Sequence, residues 1–312
     1  MRFALFTGLA GISWDDTLAL WRHADATGWD AACVTDHFMP NTRDRVGDSH
    51  ECWTALAALA HATSRMRVGT IVTGNTYRHP AVLAKMAATV DIISRGRLIC
   101  GIGGAWQENE HTAYGIPFYT VKERLARLDE ACQVLKQLWT QERSTFQGKF
   151  YQLSDAPLMP KPVQRPHPEL MVGGGGEKVT LRIAARYADH WNVWGGPDTL
   201  GRKGKILDEH CAAMGRDPKT IARSANMPLA FTDDAAGVEK ARQSYMSRMR
   251  ADADKARDTV LAGSPAQIVD RLGEMAEAGV SMVFVPTFLL PRDNFATLDR
   301  IMKDVAPQLR SR

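Results

Sequence analysis

Short apolar runs alternate with longer amphipathic segments along most of this chain. The short runs predict eight strands: Phe3–Phe6, Ala31–Thr35, Arg67–Thr73, Arg97–Ile102, Glu169–Val172, His190–Trp194, Asn226–Phe231 and Met282–Val285. Each run is followed by a helical segment. Because strand–helix repeats produce parallel strands, eight of them predict a closed (β/α)8 TIM barrel of the α/β class, with insertions. An open, doubly wound sheet is the alternative.

The longer segments repeat their apolar residues with a period of about 3.6, which indicates helices. Ser13 can cap the first helix at its start, and Gly28 can end it. Pro80 suits the first turn of a later helix. The predicted helices are Asp15–Thr27, Trp53–Ala62, Pro80–Ile93, Val121–Trp139, Glu177–Tyr187, Gly201–Met214, Pro265–Ala278 and Asn294–Val305.

Two stretches interrupt this alternation. Residues 140–168 hold a possible hairpin, Ser144–Leu153, followed by five prolines that indicate a stiff, extended excursion. Residues 232–262 are charged and helix-prone, which fits either a solvated helix or a mobile cover over a site. No linker divides the chain. We therefore expect residues 1–312 to form a single barrel domain with these two excursions.

Composition narrows the classes of protein that are possible. The chain has 312 residues, 45% of them hydrophobic, and a net charge of only +4 without a basic block, which argues against binding to nucleic acid. No apolar stretch reaches the length of a membrane span, and the N-terminal segment looks like a first strand rather than a signal peptide. Five cysteines without paired spacing indicate reduced core thiols in a cytoplasmic protein.

Polar residues that follow the predicted strands are the candidates for chemistry, because a barrel of this kind places its active site at the carboxyl ends of its strands. Asp36 and His37 follow the second strand, and a histidine beside a carboxylate can act as an acid or base. A structural role for this pair is equally open. The Glu110–His111 pair is interpreted as a surface pair at a helix start. The spacing of histidines, cysteines and carboxylates predicts no metal site.

The run Gly173–Gly176 is the sharpest local signal. Glycines between a strand and a helix let backbone N–H groups approach a phosphate, although a tight turn without a ligand is the alternative. The segment Gly101–Trp106 fails as a dinucleotide fingerprint, because Trp106 replaces the third glycine, and we interpret it as a crowded bend close to a flat ligand. Trp106, Trp191 and Trp194 lie at strand ends where they could line a pocket for a planar ring.

Several segments together resemble the bacterial luciferase-like monooxygenase superfamily, and within it the actinobacterial branch that uses the deazaflavin coenzyme F420. The resemblance covers about the first two-thirds of the chain and implies a (β/α)8 barrel. The segments that carry it are Val34–Phe38, Val68–Pro80, Ala87–Asp91, Gly96–Gly103, Glu123–Leu125, Pro160–Pro162 and Met171–Gly176.

The resemblance also implies roles for individual residues. Asp36 and His37 would line the deazaflavin ring, Thr73 and Asn109 would hydrogen-bond to it, and Gly173, Gly174, Gly175 and Gly176 would bind its phosphate. Thr70 and Ile71 match a strand bulge that often holds a cis peptide behind the ring. The sugar-phosphate dehydrogenase of the family has a glutamate proton donor where this chain has Trp106, and a tryptophan where it has Asn41. Oxidation of glucose 6-phosphate is therefore doubtful, and the candidate acid/base residues are His37 first and Glu108 second.

The primary hypothesis is an F420-dependent oxidoreductase that transfers a hydride between the deazaflavin ring and an unidentified small organic substrate. The alternative is an FMN-dependent luciferase-like monooxygenase that uses reduced flavin and O2. A third possibility, a flavin-binding carrier without turnover, has less support. A separate reductase that supplies reduced cofactor, and a homodimer, are the expected partners.

Overall fold

Eight parallel strands close into a barrel. The computed structural model describes residues 1–40, 46–293 and 295–310. Within them, β1 pairs with both β2 and β8, and every other barrel strand pairs with its two neighbours, which closes the sheet. The predicted (β/α)8 barrel is thus confirmed. The strands are β1 Arg2–Thr7, β2 Ala31–Val34, β3 Arg67–Thr70, β4 Leu98–Gly103, β5 Glu169–Gly173, β6 His190–Trp194, β7 Ala222–Asn226 and β8 Met282–Pro286.

Helices surround the barrel and connect its strands. Ser13 caps α1 as predicted, since its Oγ accepts from the Asp16 N–H at 3.1 Å, and Gly28 ends that helix with a φ of 96°. The helices are α1 Trp14–Thr27, α2 Cys52–Ala62, α3 Pro80–Ile93, α4 Glu108–Ala113, α5 Val121–Thr140, α6 Thr180–Tyr187, α7 Pro197–Ala213, α8 Ala235–Met249, α9 Ala253–Thr259, α10 Pro265–Glu277, α11 Ala296–Arg300 and α12 Ala306–Arg310. A π-helical turn, Ile301–Val305, joins the last two.

The third strand is interrupted where the barrel opens. The peptide bond between Ile71 and Val72 is cis, and the chain resumes pairing with β4 at Thr73–Gly74. The bulge therefore lies one residue later than the predicted Thr70–Ile71. Thr70 itself still belongs to the regular strand and is fully buried.

The interior of the barrel is closed by apolar side chains, so it is a core and not a channel. A separate and larger cluster fills the layer between the strands and the helices. The interior cluster consists of Ala4, Phe6, Ala31, Cys33, Ile71, Ile99, Met171, Met282 and Phe284.

The seventh strand was predicted in the wrong place. It spans Ala222–Asn226, whereas the predicted run Asn226–Phe231 begins where it ends, and Leu229–Phe231 pairs outside the barrel with Leu261–Gly263. The prediction failed because two buried side chains of this strand are polar. Ser224 and Asn226 both hydrogen-bond to Asn192 on β6. An apolar pattern could not identify a strand whose inward side chains are polar.

Three predicted helix boundaries also moved. The helix predicted from Glu177 begins at Thr180, so a turn separates it from the glycine run. The helix predicted from Gly201 begins at Pro197, which takes the first helical position. The predicted start of the last helix, Asn294, lies outside the described residues, and this helical region continues to Arg310, beyond the predicted end at Val305.

The two excursions have structures of their own. In the first, strands Arg143–Gln147 and Gln152–Pro157 form an antiparallel hairpin around Gly148. Asp91 anchors the proline-rich segment after it, accepting from the N–H groups of Val163 at 2.7 Å and Gln164 at 2.9 Å. In the second, α8 and α9 pack beside the barrel mouth through Tyr245.

All five cysteines are free and buried, as expected of core thiols. Among the helices that the structure describes, none combines the length and the apolar character needed to cross a membrane. In the same part of the chain, no group of three or more histidine, cysteine or carboxylate side chains is placed to hold a metal ion.

Candidate active site

A histidine–carboxylate pair lies at the barrel mouth. Nδ1 of His37, in the loop after β2, donates to Oε1 of Glu110 on α4 at 2.8 Å. The Glu110 side chain is completely buried, while that of His37 is 25% exposed. No described residue hydrogen-bonds to Nε2 of His37. The imidazole is thus fixed through one nitrogen while the other remains available at the mouth.

Three donors converge on Glu110. Besides His37, its carboxylate accepts from the Phe38 N–H at 2.9 Å and from the Tyr77 hydroxyl. Burial alone would raise the pKa of Glu110, but these hydrogen bonds and the charge of His37 outweigh it and hold the pKa below its usual range. The carboxylate is therefore ionised near neutral pH and accepts from all three donors.

The prediction that Glu110 and His111 form a surface pair was wrong. His111 is also fully buried, where its Nδ1 donates to the Gln107 carbonyl at 2.7 Å and its Nε2 accepts from the Thr76 hydroxyl at 2.6 Å. Its ring stacks on Tyr77 with 4.8 Å between centroids. Thr76 and Tyr77 come from the loop after β3, so the local sequence around position 110 could not reveal this burial.

Asp36 belongs to a second, buried network. Its carboxylate, in a residue that is 2% exposed, accepts from the Thr73 hydroxyl and from Nη1 of Arg78 at 2.6 Å. Arg78 also donates to Glu51 at 2.5 Å, and the indole N–H of Trp53 donates to the Thr73 oxygen at 3.2 Å. Asp36 and Thr73, both predicted site residues, thus contact each other, and their contacts with a cofactor ring stay predictions. Arg78, which neutralises Asp36, was missed because arginine in a loop carries no specific signal.

The bulge of the third strand packs against glycines of β4 and β5. A Cβ atom at Gly103 or Gly173 would lie 2.8 Å from a γ-carbon of Val72, and one at Gly101 would collide with the Thr70 carbonyl. These glycines therefore accommodate the chain's own bulge. The sequence predicted that the bend at Gly101 passes close to a flat ligand. At Gly101 itself the close neighbour is instead the chain's own third strand, through the Thr70 carbonyl. Val72, which is half-buried, thus fills the space in front of Gly103 and Gly173.

The turn Gly173–Gly176 offers free backbone donors. Gly174 has a φ of 130°, its N–H donates to the Asn192 carbonyl at 2.9 Å, and its carbonyl accepts from Trp191. No described residue accepts from the N–H groups of Gly175, Gly176 or Glu177. Nζ of Lys203 lies 2.6 Å from the Gly175 carbonyl. An anion could bind to these amides, with Lys203 beside it.

The other candidates lie in different settings. The Thr70 hydroxyl is consumed by Gly101, since it donates to that carbonyl at 2.7 Å and accepts from that N–H at 3.0 Å. Glu108 is exposed and Asn109 is half-buried, both in the first turn of α4. Asn41 lies outside the described residues.

The three tryptophans predicted to line a pocket lie in different environments. Trp106 is 62% exposed and meets the His37 ring edge-on at 5.4 Å, so it stands at the mouth. Trp191 is fully buried in the outer core and cannot line a pocket there, contrary to prediction. Trp194 lies at the end of β6 and packs against the interior cluster.

A closed parallel barrel with an acid/base pair at the carboxyl ends of its strands defines a (β/α)8 enzyme. The chain belongs to the luciferase-like monooxygenase family, whose match covers residues 1–282. It is an oxidoreductase, and the resemblance stated from its sequence is confirmed.

Two curated relatives are F420-dependent glucose-6-phosphate dehydrogenases. The protein from Intrasporangium calvum is 30% identical over 92% of this chain and 92% of its own length. The protein from Kineococcus radiotolerans is 38% identical over 68% of this chain, an alignment that spans only 63% of that relative. An FMNH(2)-dependent dimethylsulfone monooxygenase from Pseudomonas putida is 33% identical over 56% of this chain and 50% of its own length.

Solved structures agree on the fold. An F420-dependent secondary alcohol dehydrogenase, in complex with an F420-acetone adduct, superposes with a TM-score of 0.85 at 22% identity, covering 99% of both chains. At this identity the likeness is one of fold. The reductase partner and the homodimer stay predictions.

Proposed function

We propose that this protein is an F420-dependent oxidoreductase that transfers a hydride between the deazaflavin ring and a small organic substrate. The observation that carries the proposal is the pairing of buried Glu110 with His37 at the mouth of the barrel, 2.8 Å apart. This arrangement provides a proton-transfer group at the same mouth as the bulge of the third strand. The choice of F420 is supported by the relative from Intrasporangium calvum, which aligns over 92% of both chains.

The residues present suit such a cofactor. The half-buried bulge at Val72 can support a flat ring. The N–H groups of Gly175 and Gly176, together with Lys203, can bind a phosphate. The buried Oδ1 of Asn75, directly after the third strand, has no hydrogen-bond partner among the described residues and would accept from a ring N–H. When bound, F420 supplies or accepts a hydride at a carbon of its central ring.

The protein's own contribution is to hold and move a proton. Glu110 fixes His37 through Nδ1, which orients Nε2 and stabilises the ring when it is protonated. In the oxidative direction, Nε2 takes the proton that leaves the substrate oxygen; in the reductive direction, it returns that proton. Trp106, edge-on to His37 at 5.4 Å, shields this exchange on one side.

An FMN-dependent monooxygenase is the second candidate. The observation in its favour is the relative from Pseudomonas putida, which is named as FMNH(2)-dependent and is 33% identical to this chain over 184 residues. The same glycine turn would hold the FMN phosphate. The two cofactors differ in their reacting atom, since the flavin has a nitrogen where the deazaflavin has carbon.

The deciding experiment is a binding titration of F420 and FMN side by side, followed through cofactor fluorescence. We expect F420 to bind at least about tenfold more tightly, a difference of about 1.4 kcal/mol. Gly175→Asp places a carboxylate at the proposed phosphate site and should weaken F420 binding more than Gly175→Ala does. The alanine variant is the control, because its Cβ atom makes the same 2.9 Å contact with Val193 without adding a charge. Tight FMN binding without F420 binding would overturn the proposal.

A further inference from the structure

Two side chains donate hydrogen bonds to the same oxygen atom of Glu110. Nδ1 of His37 lies 2.8 Å from Oε1, and the Tyr77 hydroxyl donates to that same Oε1, while the Phe38 N–H donates to Oε2. The Glu110 side chain is completely buried, so bulk water does not reach its carboxylate. His37 and Tyr77 therefore share the negative charge of one carboxylate oxygen.

The ring of Tyr77 is held in place by close neighbours. Its backbone N–H donates to the Gly74 carbonyl at 3.1 Å, in the turn that follows the third strand. A Cβ atom at Gly74 would lie only 2.5 Å from Cε2 of the ring, so the ring packs directly on the backbone of this glycine. His111 stacks on Tyr77, and Phe38 meets the ring edge-on, each with 4.8 Å between ring centroids. These contacts fix the direction of the hydroxyl toward Glu110.

The Tyr77 hydroxyl acts only as a donor toward Glu110. Burial and the hydrogen bond to Glu110 raise the pKa of this hydroxyl above its usual range, so it stays protonated throughout the pH range in which histidine titrates. Burial would raise the pKa of Glu110, but the hydrogen bonds from His37 and Tyr77 lower it. Glu110 therefore remains ionised while His37 gains or loses its proton, and the hydroxyl donates to it in both states.

A donor that shares an oxygen with His37 weakens the hold of the carboxylate on a protonated imidazole. The negative charge on Oε1 stabilises the protonated ring, and a hydroxyl that donates to this atom already offsets part of that charge. Without the hydroxyl of Tyr77, the charge on Oε1 would act on His37 alone. The imidazole would then keep its proton to higher pH.

We propose that Tyr77 is a positioning residue that acts through Glu110 and lowers the pH at which His37 releases its proton. The proposal rests on the proposed function, in which Nε2 of His37 exchanges a proton with the substrate. An imidazole that already carries a proton on Nε2 cannot act as a base. The hydroxyl of Tyr77 therefore extends the range over which His37 can accept a proton toward more acidic pH.

The other titratable and charged groups around His37 and Glu110 are unchanged when only the hydroxyl of Tyr77 is removed. Among the described residues they come from the loops after β2 and β3, from the start of α2 and from α4, and they are Asp36, Glu51, Arg78, Glu108, His111 and Tyr114. Their charges contribute equally to the titration of the unchanged protein and of Tyr77→Phe. A difference between the two titrations therefore reports the hydroxyl.

The test follows His37 directly by NMR in the full chain without added cofactor. The ring Cε1–H signal of ¹³C-labelled histidine is recorded from about pH 5 to pH 9 and is assigned by its absence in His37→Gln. Tyr77→Phe should raise the midpoint of this titration by about half a pH unit or more. Tyr114→Phe is the matched control and should leave the midpoint unchanged, because its hydroxyl donates to the Phe38 carbonyl at 3.3 Å and does not contact Glu110.

A second variant keeps the hydroxyl but moves the ring. Gly74→Ala places a Cβ atom 2.5 Å from the Tyr77 ring, which must shift, so the midpoint of His37 should move in the same direction as in Tyr77→Phe. Thermal unfolding of each variant separates positioning from a merely structural role. A tyrosine that only stabilised the fold would lower Tm when replaced and would leave the titration of His37 unchanged.

The outcomes decide the two proposals separately. A midpoint that stays the same or falls in Tyr77→Phe, or that rises equally in Tyr114→Phe, would overturn the role of Tyr77. Because the NMR titration needs no cofactor, this result does not depend on F420 binding. If F420 does not bind to the unchanged protein, the proposed function fails, while the measured effect of Tyr77 on His37 stands.

Discussion

The contact between Val72 and Gly173 predicts a strong pairwise coupling. Gly173 ends β5 without a positive φ, so alanine suits its backbone. A Cβ atom there would nevertheless lie 2.8 Å from both γ-carbons of Val72, with the next nearest atom, the Val72 β-carbon, at 3.4 Å. Rotation of the stiff valine side chain cannot remove two overlaps at once. Gly173→Ala must therefore displace the bulge of the third strand.

We expect Gly173→Ala to cost about 1–3 kcal/mol through overpacking, which lowers Tm by about 2–6 °C in a chain of this size. The change Val72→Ala removes both γ-carbons and leaves the 3.4 Å contact, which is ordinary van der Waals distance. The double variant should therefore be more stable than the sum of the single effects predicts, by about 1–3 kcal/mol.

The assay is thermal unfolding of the four proteins in the cycle, with an F420 titration of each. Gly201→Ala is the control, because a Cβ atom at that helical position meets nothing within 4 Å. It should be neutral or slightly stabilising, by about 0.5–1 kcal/mol. Additive single effects, or a Gly173→Ala protein as stable as the unchanged one, would refute the steric reasoning.

Three further predictions concern polar side chains that form hydrogen bonds within the barrel or beside it. Burial alone would raise the pKa of Glu169, but His190 and Arg67 lower it from 4.5 to about 2. Because this folded-state pKa is depressed, the ionised carboxylate stabilises the folded protein fully above about pH 4.5, and this stabilisation is lost as the pH falls toward 2. The contribution amounts to about 3 kcal/mol. In urea unfolding, the stability of Glu169→Gln should therefore depend less on acid pH than that of the unchanged protein. Asp91→Asn replaces a carboxylate that accepts from two N–H groups and should cost about 1–3 kcal/mol in urea unfolding; an unchanged midpoint would contradict its anchoring role. His37→Gln should lower kcat about 100-fold with little change in Tm, whereas His190→Gln should lower Tm; equal effects in both assays would contradict this division.

The sequence predicts a helix or strand best where the signal for that element lies within the element itself. The caps Ser13 and Gly28 and the apolar runs depend on neighbours a few residues away, and they located most elements correctly. The polar interior of β7 could not be predicted, since Ser224 and Asn226 acquire their partners only once β6 lies beside them.

The same limit applies to the candidate site. His37 and Asp36 were found because they follow a recognisable strand. Glu110 was interpreted as a surface residue, because its partners His37 and Phe38 are more than 70 residues away in the chain. Its burial is a property of the closed barrel and not of α4, whose first turn otherwise resembles an exposed helix start.

Two histidine–glutamate pairs lie in the described part of the barrel, and their differences show why one of them suits catalysis. His190 and Glu169 lie 2.6 Å apart at the amino ends of their strands, where Nε2 of His190 is also bound to Ser224 at 2.7 Å and the side chain is fully buried. Both nitrogens are occupied, so this imidazole cannot reach a ligand. His37 also pairs with a glutamate, at the opposite end of the barrel, but its side chain is 25% exposed and no described residue hydrogen-bonds to its Nε2. In barrels of this kind the amino ends of the strands serve stability and the carboxyl ends carry the active site. We therefore expect His190 to stabilise the fold and His37 to take part in catalysis.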